Sequence, residues 1–264
     1  MLLNYIHWNV NPEIFTIGSW GPRWYGMLFA SGFVFGYYIM LKFFKKEGIK
    51  QEVLDSLTMY IFLGTLIGAR LGHCLFYEPS YYLSNPIKIL MVWQGGLASH
   101  GAAVGILLAL YLFVRKFKFS FLWLLDRLMI VIPLALFCIR MGNLMNSEIY
   151  GHVTSLPWGF IFERDGQTEP KHPTQIYEGL SYFLTFALLY VLFIKTNIKE
   201  HKGLIFGLSF IFLFTARFFI EFVKENQVGF EKGMTLNMGQ LLSIPFILTG
   251  FVLIWFSLKK PVKQ

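Results

Sequence analysis

Long apolar runs dominate the chain, each broken after about twenty residues by a cluster of lysines or by glycine, proline and asparagine. Seven runs, near residues 25–44, 54–76, 97–114, 121–139, 175–194, 203–221 and 239–258, have the ~20 residues a helix needs to cross a hydrocarbon core. Lipid offers no partner for backbone N–H and C=O groups, so such runs are expected to be α-helical. The pattern predicts an all-α polytopic membrane protein of about seven transmembrane helices. It forms a single integral membrane domain over 1–264, with an outer loop segment at about 140–174. Gly64, Gly68 and Gly72 recur every four residues in the second run, Gly32 and Gly36 in the first, and Gly101, Gly105 and Ala109 in the third. Small residues at this spacing make a flat stripe on which two helices approach closely.

The polar breaks set the expected orientation. KFFKKEGIK, RKFKF, KTNIKEHK and LKKPVKQ follow the first, third, fifth and seventh runs and therefore share one side. Lysine-rich short loops face the cytoplasm, so the C-terminus is expected inside and the N-terminus outside, with the segments near 77–96, 140–174 and 222–238. Composition agrees: 55% of residues are hydrophobic and only 14% charged, against roughly 25% charged in soluble domains. The formal charge of +8 belongs to those loops, and no basic stripe or motif points to nucleic acid. Cys74 and Cys138 lie inside apolar runs without CxxC spacing, and read as small buried hydrophobes rather than a metal or redox site. No basic region precedes the first run, so no cleavable signal peptide is expected.

Ionisable side chains inside a membrane cost a few kcal/mol each on insertion scales, which makes their depth informative. Tyr25 opens the first span. Arg70 and His73 stand one turn apart near the outer end of the second, and His100 opens the third. Arg140 and Asn143 close the fourth, while His172, Gln175, Tyr177 and Glu178 open the fifth. Arg217 and Glu221, at i,i+4 spacing, close the sixth, and Gln240 opens the seventh. All of these fall in the outer third. At the inner level stand Asp126 and Arg127, read as a structural interface pair. Singly, each outer residue admits a plain role: an ion pair for Arg217 and Glu221, a snorkelling Arg70, an interfacial Tyr25, a His100 bonded to a carbonyl. Their common depth predicts a polar cavity open to the outside. Arg70, Arg140 and Arg217 at one level point to an anion, and guanidinium suits phosphate best. At headgroup depth that means a phospholipid. Histidine is the side chain that ordinarily changes charge near neutral pH, which makes His100 a candidate general base.

VWQGGLASHG at 92–101, RMGNLMNSEIYG at 140–151, KHPTQIYEGL at 171–180, ARFFIEFVK at 216–224 and LNMGQLLSIP at 236–245 together resemble the prolipoprotein diacylglyceryl transferases. The likeness runs from RWYG at 23–26 to the last span. It implies a multi-pass enzyme of the bacterial plasma membrane with its active site toward the outer face. Such an enzyme moves the diacylglyceryl group of phosphatidylglycerol onto the lipobox cysteine thiol of a prolipoprotein signal peptide. Glycerol phosphate leaves and a thioether forms, the first step of lipoprotein maturation, with no metal or cofactor. By this resemblance the catalytic residues are His100, Arg140 and Arg217, and further motif positions are Tyr25, Asn143, Glu148, Gly151 and Glu221. Asn146 of the same motif joins Arg70, His172, Gln175, Tyr177, Glu178 and Gln240 as expected substrate-binding residues. Two positions depart from the family pattern: Leu213 replaces a tyrosine, and Ser99 an aromatic residue before the histidine. The rival reading of the same cavity is a lipid or small-anion transporter or flippase. Transporters commonly show repeated halves with polar groups at the midplane, whereas here no repeat is evident and the polar groups gather at one face.

Overall fold

The structure, a computed structural model, describes residues 5–16, 21–92, 95–226, 229–231 and 233–259. Trp93 and Gln94 of the VWQGGLASHG stretch, positions 227, 228 and 232 of the 222–238 segment and the end of the basic tail at 260–264 lie outside the described residues. A short strand, β1 (Ile6–Trp8), precedes α1 (Trp24–Lys46), α2 (Gln51–Phe76), the short α3 (Pro79–Ser84), α4 (Ser99–Phe117) and α5 (Phe121–Met145). After β2 (Phe160–Phe162) come α6 (Thr174–Lys195), α7 (Leu204–Ile220) and α8 (Met238–Lys259). All seven apolar runs are helices, six of them long and apolar enough to span a membrane; α7 is a shorter apolar helix. The protein is a multi-pass, all-α membrane protein.

Two boundaries differ from the sequence expectation. α5 continues past Arg140 and Asn143 to Met145, because both polar side chains find partners within the fold and have no need of a water-exposed loop. The 77–96 segment is partly helical: α3 is followed by a 3₁₀ turn at Pro86–Leu90. Both begin with proline, whose fixed φ suits a first helical position.

The chain forms two compact units, one of residues Met1–Ile39 with Leu125–Gln264 and one of residues Met40–Leu124. In the 40–124 unit, α2 and α4 pack through the glycine stripe. A Cβ added at Gly105 would lie 2.1 Å from the Gly64 carbonyl oxygen, and one at Gly101 would lie 2.2 Å from that of Gly68. Any larger residue would push the two backbones apart, so the sequence spacing is a packing requirement. Cys74 is fully buried in this unit and Cys138 in the other, both as free thiols, as their apolar settings predict.

In the other unit, α7 and α8 approach at Gly207 and Gly250, each facing the other's carbonyl at 2.8 Å from a built Cβ. One end of this unit carries a small β-layer. β1 pairs in parallel with β2, Ile6 opposite Phe160 and Trp8 opposite Phe162, over a core of Leu144, Tyr150, Phe160 and Phe162 with Trp8 packed against it. The Trp8 indole N–H donates to the Leu144 carbonyl at 2.9 Å, which ties the layer to the end of α5. At the opposite end, buried Asp126 accepts the Gly203 N–H at 2.6 Å and the Phe206 N–H at 2.9 Å. This carboxylate from α5 caps α7, satisfying donors a helix start leaves open and meeting the positive end of its dipole. Arg127 lies over the Phe193 ring at 5.4 Å. The expected interface pair is therefore a cap and a cation–π contact that join α5 to α7 and α6.

Replacing Asp126 by Ala strips the two α7 amides of their acceptor. Asp126→Ala is expected to destabilise the protein by about 1–3 kcal/mol, with Asp126→Asn, which keeps one acceptor oxygen, losing less. Thermal unfolding in detergent micelles checks this; equal midpoints for wild type and Asp126→Ala would contradict the capping role.

Candidate active site

The site end of the larger unit is built around a strained turn. Between α5 and the 150–172 segment the backbone passes through positive φ at Ser147 (56°) and again at Ile149 (62°). For a β-branched residue this is a sparsely populated conformation, costing on the order of 1–3 kcal/mol. The start of α6 supplies the restraint. Gln175 donates its side-chain amide to the Glu148 carbonyl at 2.7 Å, and the Thr174 hydroxyl donates to the Ile149 carbonyl at 2.9 Å. Both side chains are fully buried. The turn aims Glu148 back at α5, where its carboxylate accepts from Asn143 at 2.7 Å and Asn146 at 3.2 Å. Asn143 in turn accepts from an Arg140 terminal N–H at 3.3 Å. Tyr25 rests on this stretch of α5: a Cβ at Gly142 would come within 2.8 Å of its ring.

From Arg140 a chain of alternating charges crosses the unit. Arg140 Nε lies 2.6 Å from Glu178 Oε2, an ion pair without the alignment of a hydrogen bond. The other Glu178 oxygen is 3.2 Å from Lys224 Nζ, which is also 3.2 Å from Glu221 Oε1. Glu221 Oε1 lies 3.5 Å from Arg217 Nε. Glu178 is 0% exposed and Lys224 4%, whereas the Arg217 side chain keeps 36% of its surface exposed. Buried Arg217 Nε makes no hydrogen bond among the described residues. α8 completes the support. Asn237 and Gln240 form a reciprocal cap, the Asn237 N–H donating to Gln240 Oε1 at 3.0 Å and the Gln240 N–H to Asn237 Oδ1 at 2.9 Å. The Asn237 amide then donates to Glu221 Oε2 at 3.1 Å. Gln240 thus acts on Glu221 through the start of α8.

Gly151 is where these parts meet. Residues 150–152 run antiparallel to 223–225, with the His152 N–H donating to the Val223 carbonyl at 2.8 Å and a bridge between Gly151 and Lys224. A Cβ at Gly151 would stand 2.2 Å from the Val223 oxygen. Its N–H donates to the His172 carbonyl at 2.8 Å. His172 lies 3.3 Å from the Tyr177 hydroxyl, which also accepts from Trp158 at 2.8 Å. Burial and neighbouring His152 hold His172 below its ordinary pKa, so the ring is neutral at pH 7.

The 40–124 unit carries the other two expected residues. Arg70, 3% exposed, donates to the carbonyls of Lys88, Ile89, Gly95 and Gly96 and lies over the Tyr82 ring at 5.0 Å. Its guanidinium orders the loop that leads into α4. Gly95 and Gly96 in that loop adopt positive φ of 84° and 73°, as the double glycine allows. The Ala98 N–H donates to the Ala69 carbonyl at 2.9 Å, fixing the start of α4. His100, exposed on the first turn of α4, lines one end of an apolar groove of about 920 Å³ whose floor is the glycine seam of α2 and α4.

Of the expected residues, the fold joins Tyr25, Arg140, Asn143, Asn146, Glu148, Gly151, His172, Gln175, Tyr177, Glu178, Arg217, Glu221 and Gln240 in one connected cluster of the larger unit. His100 and Arg70 belong to the 40–124 unit. Sequence reasoning missed Lys224 and Asn237. Asn237 carried a usable signal, Asn-x-x-Gln ahead of an apolar run, which is a capping-box pattern. Lys224 carried none, because its partners lie on α6 and at the end of α7.

The family model for prolipoprotein diacylglyceryl transferase matches residues 12–256. The chain is 49% identical over 259 residues to a protein of Tolumonas auensis named phosphatidylglycerol–prolipoprotein diacylglyceryl transferase, covering 98% of this chain and 100% of the relative. Proteins of the same name from Bacteroides fragilis and Chloroherpeton thalassium are each 43% identical; the former covers 99% of both chains, the latter 97% of this chain and 96% of itself.

Gly151→Ala forces the 223–225 backbone away by overlap with the Val223 oxygen. At a cost of roughly 1–3 kcal/mol, amide exchange at His152 and Glu225 is expected to quicken by about 10–100-fold. Wild-type exchange rates at both amides would contradict the close-approach requirement.

Proposed function

The chain belongs to the prolipoprotein diacylglyceryl transferase family, and on that premise we propose that it transfers the diacylglyceryl group of phosphatidylglycerol to the lipobox cysteine of a prolipoprotein. The observation that carries this reading is the pair of arginines, Arg140 and Arg217, each backed by a buried glutamate and joined through Lys224. The carboxylates act on the Nε sides, and the terminal N–H groups other than the one that Asn143 accepts from Arg140 are the donors suited to phosphate oxygens in the forked geometry guanidinium favours.

The reaction is displacement at the diacylglyceryl carbon bonded to the phosphate oxygen. The thiolate sulfur forms the new S–C bond, the C–O bond breaks, and glycerol phosphate departs with the electron pair. Charge grows on the phosphate as the bond breaks, and Arg140 and Arg217 stabilise it there. A free thiol with pKa ~8.5 is mostly protonated at neutral pH, and His100 accepts its proton. Arg70 holds the loop before His100 in place, and Glu148 orients Asn143 beside Arg140. The lysine-rich loops face the cytoplasm and the arginine cluster faces the outer side of the bacterial inner membrane, where the signal peptide presents its cysteine. The family match, together with polar groups gathered at one end of the larger unit, supports this reading over the transporter alternative.

Incubating the purified protein with phosphatidylglycerol vesicles and a lipobox peptide should add the diacylglyceryl mass to the peptide and release glycerol phosphate, both read by mass spectrometry; an unmodified peptide would contradict the assignment. Arg140→Lys keeps a cation beside Glu178 but loses the fork, and its transfer rate is expected to fall by about 10²–10³-fold; a near-normal rate removes the phosphate role. His100→Gln should abolish transfer while phosphatidylglycerol binding persists, and loss of binding as well would refute the base assignment.

A further inference from the structure

We infer that Lys224 is a positioning residue for the transfer: it couples the two phosphate-gripping arginines to each other and to the strained turn. The inference rests on the transferase reading above and adds a residue that the motif comparison did not single out. Lys224 is 4% exposed and has one ammonium group for two carboxylates, each at 3.2 Å. Those carboxylates are the ones that back Arg140 and Arg217.

Two consequences follow from the charges. First, Glu178 and Glu221 each sit between an arginine and Lys224, so the lysine offsets part of the carboxylate charge that otherwise opposes a phosphodiester monoanion at the two guanidinium groups. Second, Glu178 and Glu221 both point at the position Nζ occupies. Removing the cation leaves two buried like charges facing one another, and their repulsion displaces the arginines they hold. The backbone of Lys224 is fixed independently, by its bridge to Gly151 and by the Glu225 N–H donating to the Tyr150 carbonyl at 3.3 Å. The lysine therefore transmits the position of the 146–151 turn to the arginine pair, a role for which an exposed surface cation would be useless.

The test compares Lys224→Met with Lys224→Arg in the full-length protein, using phosphatidylglycerol vesicles and a synthetic lipobox peptide. Lys224→Met keeps an unbranched stem one heavy atom shorter and removes the charge. It should lower kcat and raise the KM for phosphatidylglycerol, with kcat/KM down about 100-fold or more, while the KM for the peptide stays within about threefold. Lys224→Arg restores the charge and should return kcat/KM to within about tenfold of wild type. Lys224→Met within threefold of wild type overturns the inference. So does a Lys224→Arg that melts like wild type yet loses 100-fold in transfer, a comparison that decides the matter even if Lys224→Met fails to fold. An equal rise in both KM values would mark a general structural lesion and also overturn it. Failure of the wild type itself to transfer would refute the transferase reading instead.

Discussion

A charge inside a lipid-facing bundle must be paired or it destabilises the fold, and this constraint organises the larger unit. Five charged side chains, Arg140, Glu178, Lys224, Glu221 and Arg217, alternate in sign along a connected path. Breaking a buried pair by removing one partner typically costs about 3–5 kcal/mol, so the path fixes how α5, α6 and the ends of α7 and α8 are presented. Its two ends are guanidinium groups, whose forked geometry suits a phosphate on a lipid.

The surrounding structure reads as support for that path. The strained Ser147 and Ile149 backbone is held by Thr174 and Gln175 from the start of α6, the same helix that carries Glu178. The Asn237–Gln240 cap holds Glu221 from α8. Gly151 admits the 223–225 segment at a distance no other residue tolerates, and that segment carries Lys224. The 40–124 unit uses a different device: glycines on α2 and α4 bring two backbones together and leave an apolar groove beside His100.

Much of this was legible in the sequence, for physical reasons. Bilayer thickness imposes span length, so the seven apolar runs match six long helices and the shorter α7 within a few residues at most ends. The stripe at Gly64, Gly68 and Gly72 repeats with the helix and is visible along one chain segment. The Gly207–Gly250 contact is not, since each glycine stands without a repeat in its own helix. Arg140, Arg217, Glu178 and Glu221 stand out along the chain because they interrupt apolar runs. Lys224 follows a run and becomes significant only when folding lays 223–225 beside 150–152. Arg70 shows the complementary limit. An arginine in a span suggests an anion, but its partners are backbone carbonyls of a loop, and every residue carries a carbonyl that sequence cannot single out. α5 outran its expected end for a similar reason, because Arg140 and Asn143 are satisfied by side chains distant in sequence.

The most direct measurement is a structure of the protein in phosphatidylglycerol nanodiscs, determined by cryo-electron microscopy at a resolution that locates the lipid phosphate. The expected result is a phosphate held by terminal nitrogens of both Arg140 and Arg217 at about 2.7–3.2 Å, with Glu178, Lys224 and Glu221 still linking the two from behind. A lipid phosphate bound elsewhere, with both guanidinium groups engaged only by the protein's own carboxylates, would contradict the account.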